Sequence, residues 1–304
     1  MASYPLSEQM SAFIDKTLSF TSPDDSLAGL RQAYSQMCRA FTPPYPPTLV
    51  IEDFEWAGVG VRAYHPRRAA PPAGWPCILY LHGGGWVVGD LDSHDFICME
   101  LAATLGALVV AVDYRLAPEH PFPAGLDDCL AVWRYLAAAP FAIDPRRRLV
   151  VGDSAGGNLA AALCLALRDA GQPLPRSQVL IYPALAGPAP LPSRREHADA
   201  PLLSSRDLDS YHALYLGGVA PSPGAMPLLA EHLGGLPPAL IVVAQWDPLR
   251  DDGALYSERL NAAGVDAVLY VGEGLVHGCL RGRGLVPEVD QMYRTLLAYL
   301  ADTL

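Results

Sequence analysis

Charge is scarce in this sequence, and basic charge scarcest: 17% of 304 residues are charged and the net charge is −11. Nucleic acid and anionic membrane surfaces are held by clustered Lys and Arg, so a chain this acidic is expected to bind neither. Its balance mildly favours neutral or cationic substrates. No run of about eighteen apolar residues occurs, so no stable membrane insertion is expected. The opening residues lack the basic segment and apolar core of a secretory signal, which points to a cytoplasmic protein. Closely spaced cysteine pairs are missing as well. Cys38, Cys77, Cys98, Cys129, Cys164 and Cys279 stand singly in apolar segments, as buried thiols of a reducing compartment do; Cys279 alone falls near a candidate catalytic histidine and is the one to watch for thiol sensitivity. Repeats and low-complexity tracts are absent. Apolar side chains, at 51%, are plentiful enough for the core of one large α/β domain.

Residues 6–20 and 24–41 read as two helices, the second opened by Ser22-Pro23-Asp24. Pro43-Pro44 and Pro46-Pro47 then stop any helix. Strand-like stretches at 48–56 and 59–65 are joined through Ala57-Gly58 in hairpin fashion. From residue 77 short apolar strands (77–81, 107–113, 148–152, 178–182, 238–246, 266–271) alternate with helical patterns (93–105, 124–138, 155–170, 251–263, 287–300). Strands apolar on both faces belong in a parallel sheet with helices on each side. One connection is too long for that scheme. More than fifty residues lie between 182 and 238, with prolines at the edges and a helix-like centre at 204–216, and we read them as a lid over the strand ends. The expected division is 1–47 for N-terminal cap helices, 48–185 for the first part of the core, 186–236 for a cap insertion and 237–304 for the rest of the core.

Gly152-Asp153-Ser154-Ala155-Gly156 lies between the apolar run at 149–151 and a helical small-residue segment. A Gly-x-Ser-x-Gly between strand and helix is a nucleophile elbow, in which a strained turn pushes the serine forward and the flanking glycines clear space around it. A phosphate-cradling loop is set aside, since neither a Gly-Lys-Ser/Thr ending nor a GxGxxG is present. A serine hydroxyl needs an imidazole base oriented by a carboxylate. Asp247 follows one strand and His277 the next, in the chain order Ser, acid, His. Asp251, Asp252 and Glu273 compete with Asp247, but the first two look like first-turn residues of a helix and the third lies within a strand end.

His82-Gly83-Gly84-Gly85-Trp86 supplies the other half of an acyl-transfer site. Amides of Gly83 and Gly84, with that of Ala155, are candidate donors to an oxyanion, each worth about 3 to 4 kcal/mol of barrier. His82 is expected to hold this loop. Trp86, Leu202, Leu203, Tyr211 and Tyr215 are the candidate walls of a substrate pocket. Asp90, Asp92, His94 and Asp95 look like metal ligands, but a calcium loop starting at Asp90 needs Gly where Asp95 stands and Glu where Leu101 stands. Capping by Asp92 or Ser93 explains them better, and no metal site is expected.

Together His82 to Trp86, the stretch from Asp113 through Glu119 to Asp128, Gly152 to Ala160, Asp247-Pro248-Leu249-Arg250-Asp251 and His277-Gly278 resemble the bacterial hormone-sensitive-lipase-like carboxylesterases of the α/β-hydrolase fold. The resemblance implies an eight-stranded, mostly parallel sheet with a helical cap, a triad of Ser154, Asp247 and His277, and hydrolysis of short- to medium-chain carboxylic esters without a cofactor. It also implies structural roles for Arg115 and Glu119, and by analogy a homodimer paired through the C-terminal strand and helix. Cys279 departs from the phenylalanine that the family often carries, which bears on acyl-pocket shape. The sequence alone leaves two rivals open: an amidase or peptidase on the same triad, and a ligand receptor of the same fold.

Overall fold

The computed structural model describes residues 4–24 and 26–304. Two helices come first, α1 (Glu8–Leu18) and α2 (Leu27–Phe41), each started by a serine whose hydroxyl accepts from a first-turn amide: Ser7 from Met10 at 3.2 Å, Ser26 from Gly29 at 3.0 Å. The second therefore begins later than the Ser22-Pro23 signal suggested. Residue 25 of that expectation lies outside the described residues.

The hairpin is as read: β1 (Leu49–Trp56) and β2 (Val59–Pro66) pair antiparallel, and Ala57 and Gly58 between them both take positive φ, 53° and 80°. Such a turn matches the right-handed twist of the strands. The alternation then runs β3 (Trp75–Leu81), α3 (Asp95–Leu105), β4 (Leu108–Asp113), α4 (Ala124–Tyr135), β5 (Ile143–Asp153), α5 (Ala155–Asp169) and β6 (Gln178–Ile181). After the insertion, with α6 (Pro192–Glu196) and α7 (Ser205–Leu216), come β7 (Ala239–Trp246), α8 (Arg250–Ala262), β8 (Ala267–Val276) and α9 (Pro287–Thr303).

All eight strands form one sheet in the order β1-β2-β4-β3-β5-β6-β7-β8, antiparallel at β1, β2 and β4 and parallel from β4 onward. The expected eight-stranded, mostly parallel α/β sheet is borne out. On β3 the pleat sends Cys77, Leu79 and Leu81 into one apolar layer and Ile78 and Tyr80 into the other. The expectation that every strand of the alternating series is buried on both faces fails at β8. As an edge strand it leaves Val268, Leu269 and Val271 exposed.

Chain order reverses at β3, whose neighbours are β4 and β5. Ligands of open α/β sheets bind beyond the carboxyl ends of the strands at such a switch point, and the two segments that leave it here are 82–86 and Ser154. Parts of the chain outside the sheet close over that spot. Arg31 of α2 donates to both carboxylate oxygens of Glu119 at 2.8 Å and to the carbonyl of Val87 at 2.8 Å, while Ser35 donates to Asp90 at 2.8 Å. In the insertion, α7 is opened by Ser204 and Asp207, each side chain accepting the other's backbone amide, and closed by Gly217 at φ 57°.

Candidate active site

Strand β5 ends at Asp153 and α5 begins at Ala155, leaving Ser154 alone at the bend with φ 54° and ψ −117°. A non-glycine residue held there costs about 1 to 3 kcal/mol, so the surroundings must over-determine it. They do so by close packing. A Cβ on Gly152 would lie 2.3 Å from the carbonyl oxygen of Gly156, and one on Gly156 only 1.9 Å from that of Leu81. The Ser154 amide donates to the carbonyl of Ile181 at 2.8 Å.

The partners arrive through strand register. Trp246 of β7 pairs with Val276 of β8, so the next residues, Asp247 and His277, leave the sheet side by side. His277 Nε2 lies 2.9 Å from Ser154 Oγ, and His277 Nδ1 lies 2.8 Å from Asp247 Oδ2. Asp247 is fully buried, and its Oδ1 accepts the amide of Leu249 at 2.8 Å. The rival carboxylates are spent elsewhere. Asp251 accepts from the Ser193 amide at 2.9 Å; Asp252 accepts from the amides of Leu185 and Ala186, both at 2.8 Å, and pairs with Arg194 at 2.8 Å. Asp252 is thus a buried anchor tying the insertion to α8, rather than a residue placed for the helix dipole. Glu273 lies exposed on β8.

The glycine loop departs from expectation at one position. The Gly83 amide donates to Asp153 Oδ1 at 2.9 Å and so is already committed. The amides of Gly84, Gly85 and Ala155 have no acceptor among the described residues, and all three residues line the pocket in front of Ser154. Asp153, unremarked in the sequence beyond its place in the elbow, is the hub of this arrangement. Burial pushes its carboxyl up, but His94 at 3.4 Å and the Tyr80 hydroxyl at 2.7 Å hold it below the usual carboxylate range. The anion so maintained binds the glycine loop to the elbow. His82 does support the loop: it stacks on Tyr114 with centroids 4.3 Å apart, and its Nδ1–H donates to the carbonyl of Gly83 at 2.8 Å. Burial, then neighbouring His94, brings its pKa down to about 4 and keeps it neutral.

The acidic cluster beyond the loop is engaged by protein groups. Arg62 donates to Asp92 at 2.8 Å and to Asp95 at 3.1 Å, and Asp90 Oδ1 accepts the amide of Ser93 at 2.8 Å. Asp90 is therefore the local cap; Asp92 and Ser93 lie in a 3₁₀ turn (Asp92–His94) ahead of α3. Arg115 pairs with Asp128 at 2.8 Å and Glu119 with Arg31, as structural residues would.

The pocket and the open solvent at its mouth together span about 660 Å³. Trp86, Leu202, Leu203 and Tyr211 line it. Tyr215 does not: its ring stacks behind Trp86, centroids 4.2 Å apart and planes within 8°. Cys279 is fully buried and outside the lining, so its difference from phenylalanine does not shape the wall, and burial pushes its thiol up to about 12. Sequence reasoning missed Tyr34 of α2, Leu208 of α7 and Arg281, which line the same pocket. No short motif marks them, since only tertiary packing brings them there.

A family model described as alpha/beta hydrolase fold matches residues 78–281. The chain is 42% identical over 278 residues to the esterase LipI of Mycobacterium tuberculosis, covering 88% of this chain and 86% of that one. It is 40% identical over 236 residues to an ethyl acetate hydrolase of Pseudomonas putida, covering 76% of this chain and 74% of the relative. A solved esterase of the bacterial hormone-sensitive lipase family superimposes with a TM-score of 0.89 at 34% identity, over 100% of this chain and 99% of its own. These names speak for ester hydrolysis and lend no support to the amidase and receptor readings.

Proposed function

For a chain that belongs to the alpha/beta hydrolase family, in its bacterial hormone-sensitive-lipase-like group, and is a carboxylic ester hydrolase, we propose that Ser154 is the nucleophile, His277 its base and Asp247 the residue that orients the base. The observation that carries this reading is the unbroken chain of two contacts, Ser154 Oγ to His277 Nε2 at 2.9 Å and His277 Nδ1 to Asp247 Oδ2 at 2.8 Å.

In the first half-reaction Ser154 Oγ attacks the ester carbonyl while its proton passes to His277 Nε2; the imidazolium then protonates the departing alcohol oxygen, leaving an acyl-serine. Water repeats the sequence, with His277 again taking a proton, and releases the acid. Negative charge on the tetrahedral oxygen would be met by the amides of Gly84, Gly85 and Ala155, pocket-lining residues whose N–H groups have no acceptor among the described residues, while the Gly83 amide serves Asp153 instead. Trp86, Leu202, Leu203 and Tyr211 would hold a short- to medium-chain acyl or alcohol group, with Tyr215 stiffening Trp86 from behind.

The cap in this reading is formed by 1–47 and 186–236. No described helix is long and apolar enough to cross a membrane. Six buried, unpaired cysteines support a reducing, cytoplasmic setting. The exposed apolar side chains of the edge strand β8 support a homodimer through that edge, which sedimentation of Val268→Lys would test by a shift to the monomer. For the catalytic assignment the test is turnover of a short 4-nitrophenyl ester by Ser154→Ala: near-complete loss is expected, and undiminished turnover would end the reading.

A further inference from the structure

Arg281 has no part in the hydrolysis just described, yet it lines the same pocket. It sits in the 3₁₀ turn (Cys279–Gly282) that follows the histidine, and Gly278, at φ 69°, folds the chain back at that point. A Cβ on Gly278 would lie 3.3 Å from Arg281 Nη2 and 3.8 Å from Nη1, so the guanidinium rests against the backbone next to His277. The residue is only 8% exposed, Nε is buried without a hydrogen-bond partner, and no carboxylate lies within ion-pair distance among the described residues.

Uncompensated burial of a cation is costly, and an arginine is normally found paired when so enclosed. The ionisable groups around this one do not meet the need. Cys38, Tyr34 and Tyr182 are the neutral neighbours. Asp153 is the carboxylate that shares the pocket, but it lies beyond ion-pair distance of Arg281, and its Oδ1 is turned to Tyr80, the Gly83 amide and His94. The remaining place for a countercharge is the cavity itself, which Ser154 and Arg281 both line. A planar fork of donors matches a carboxylate better than any other common anion of that size.

We infer that the enzyme acts on esters that bear a second, free carboxylate, which seats on Arg281 while the ester carbonyl meets Ser154. Half-esters of dicarboxylic acids place that carboxylate on the acyl side, and acylated hydroxy acids place it on the alcohol side. The inference rests on the Ser154 reading and adds the substrate class to it. The net charge of −11 favours neutral or cationic substrates at long range. Arg281 acts at contact, inside a pocket where screening by water is weak.

The test compares kcat/KM for two matched pairs: mono-4-nitrophenyl glutarate against its methyl ester, and 4-acetoxybenzoate against its methyl ester. For at least one pair the acid-to-neutral ratio should fall about tenfold or more in Arg281→Met, the range of a charge-assisted hydrogen bond, and recover in part in Arg281→Lys. Ratios unmoved in both pairs would overturn the inference. If Arg281→Met is inactive on every ester, competitive inhibition of the unaltered enzyme decides: glutarate should inhibit more strongly than dimethyl glutarate, and the reverse order would overturn the proposal. Persistence of neutral-ester turnover in Ser154→Ala would instead strike the underlying assignment.

Discussion

Replacing Asp247 by Asn tests the proposed triad, because the neighbouring backbone dictates which way the new amide must face. Oδ1 of Asp247 accepts the Leu249 amide at 2.8 Å in a fully buried setting, so an Asn would keep its carbonyl there rather than leave that N–H unpaired. Its NH2 then occupies the Oδ2 position, 2.8 Å from His277 Nδ1. Two donors cannot face each other. The imidazole is forced into the tautomer with its proton on Nε2, the atom 2.9 Å from Ser154 Oγ, and in that form it cannot take the serine proton. The expected loss in kcat is about 10⁴-fold, or about 5 kcal/mol of barrier. Steady-state hydrolysis of 4-nitrophenyl butyrate at pH 8 would read it, with thermal denaturation confirming that the near-isosteric variant is folded. Retention of more than a tenth of wild-type kcat by a folded Asp247→Asn would refute the reasoning.

Asp252→Ala should lower unfolding free energy by about 3 to 5 kcal/mol, since it strands the Arg194 guanidinium and two amides in the interior; a urea midpoint close to wild type would contradict the anchor role. His82 and His212 are both held near a pKa of about 4, in each case first by burial, below the ordinary value of 6.5. Their folded forms bind fewer protons than the unfolded chain, so the stability they confer is full above pH 6.5 and is lost as pH falls toward 4. His212→Phe should therefore flatten the acid side of the stability profile by at most about 3 kcal/mol over that window, and an unchanged slope would count against it. With every cysteine buried and the Cys279 thiol pushed up to about 12, native enzyme should keep its activity in iodoacetamide at pH 8, and rapid inactivation would be the contrary result.

What could be read from the residues was what short-range chemistry determines. Ala57-Gly58 between two strand-like stretches reads as a tight turn whose glycine accepts the positive φ, and Gly152 and Gly156 announce a bend where added side chains would collide with the backbone. Asp247 and His277 were legible because each directly follows a strand, and parallel register carries such positions to one edge. Roles fixed by approach from afar were not. Gly83 looks like its neighbours in the sequence, and only the fold turns its amide toward Asp153. Tyr215 shares a helix with Tyr211, but it stacks behind Trp86 whereas Tyr211 reaches the pocket. Asp252 follows a plain helix-start pattern, and the insertion that it anchors begins more than sixty residues earlier in the chain. The insertion was visible as an overlong connection, whereas the place of Leu208 in the wall of the pocket that Ser154 also lines depends on how α7 lies.

The most direct measurement is the site of covalent modification by a fluorophosphonate, mapped by peptide mass spectrometry. A hydroxyl activated by His277 and facing free amides should take up one phosphonyl group at Ser154, with activity lost in proportion and no adduct in Ser154→Ala. An enzyme that stays active and unlabelled at Ser154, or that is inactivated through a different residue, would contradict the account at its centre.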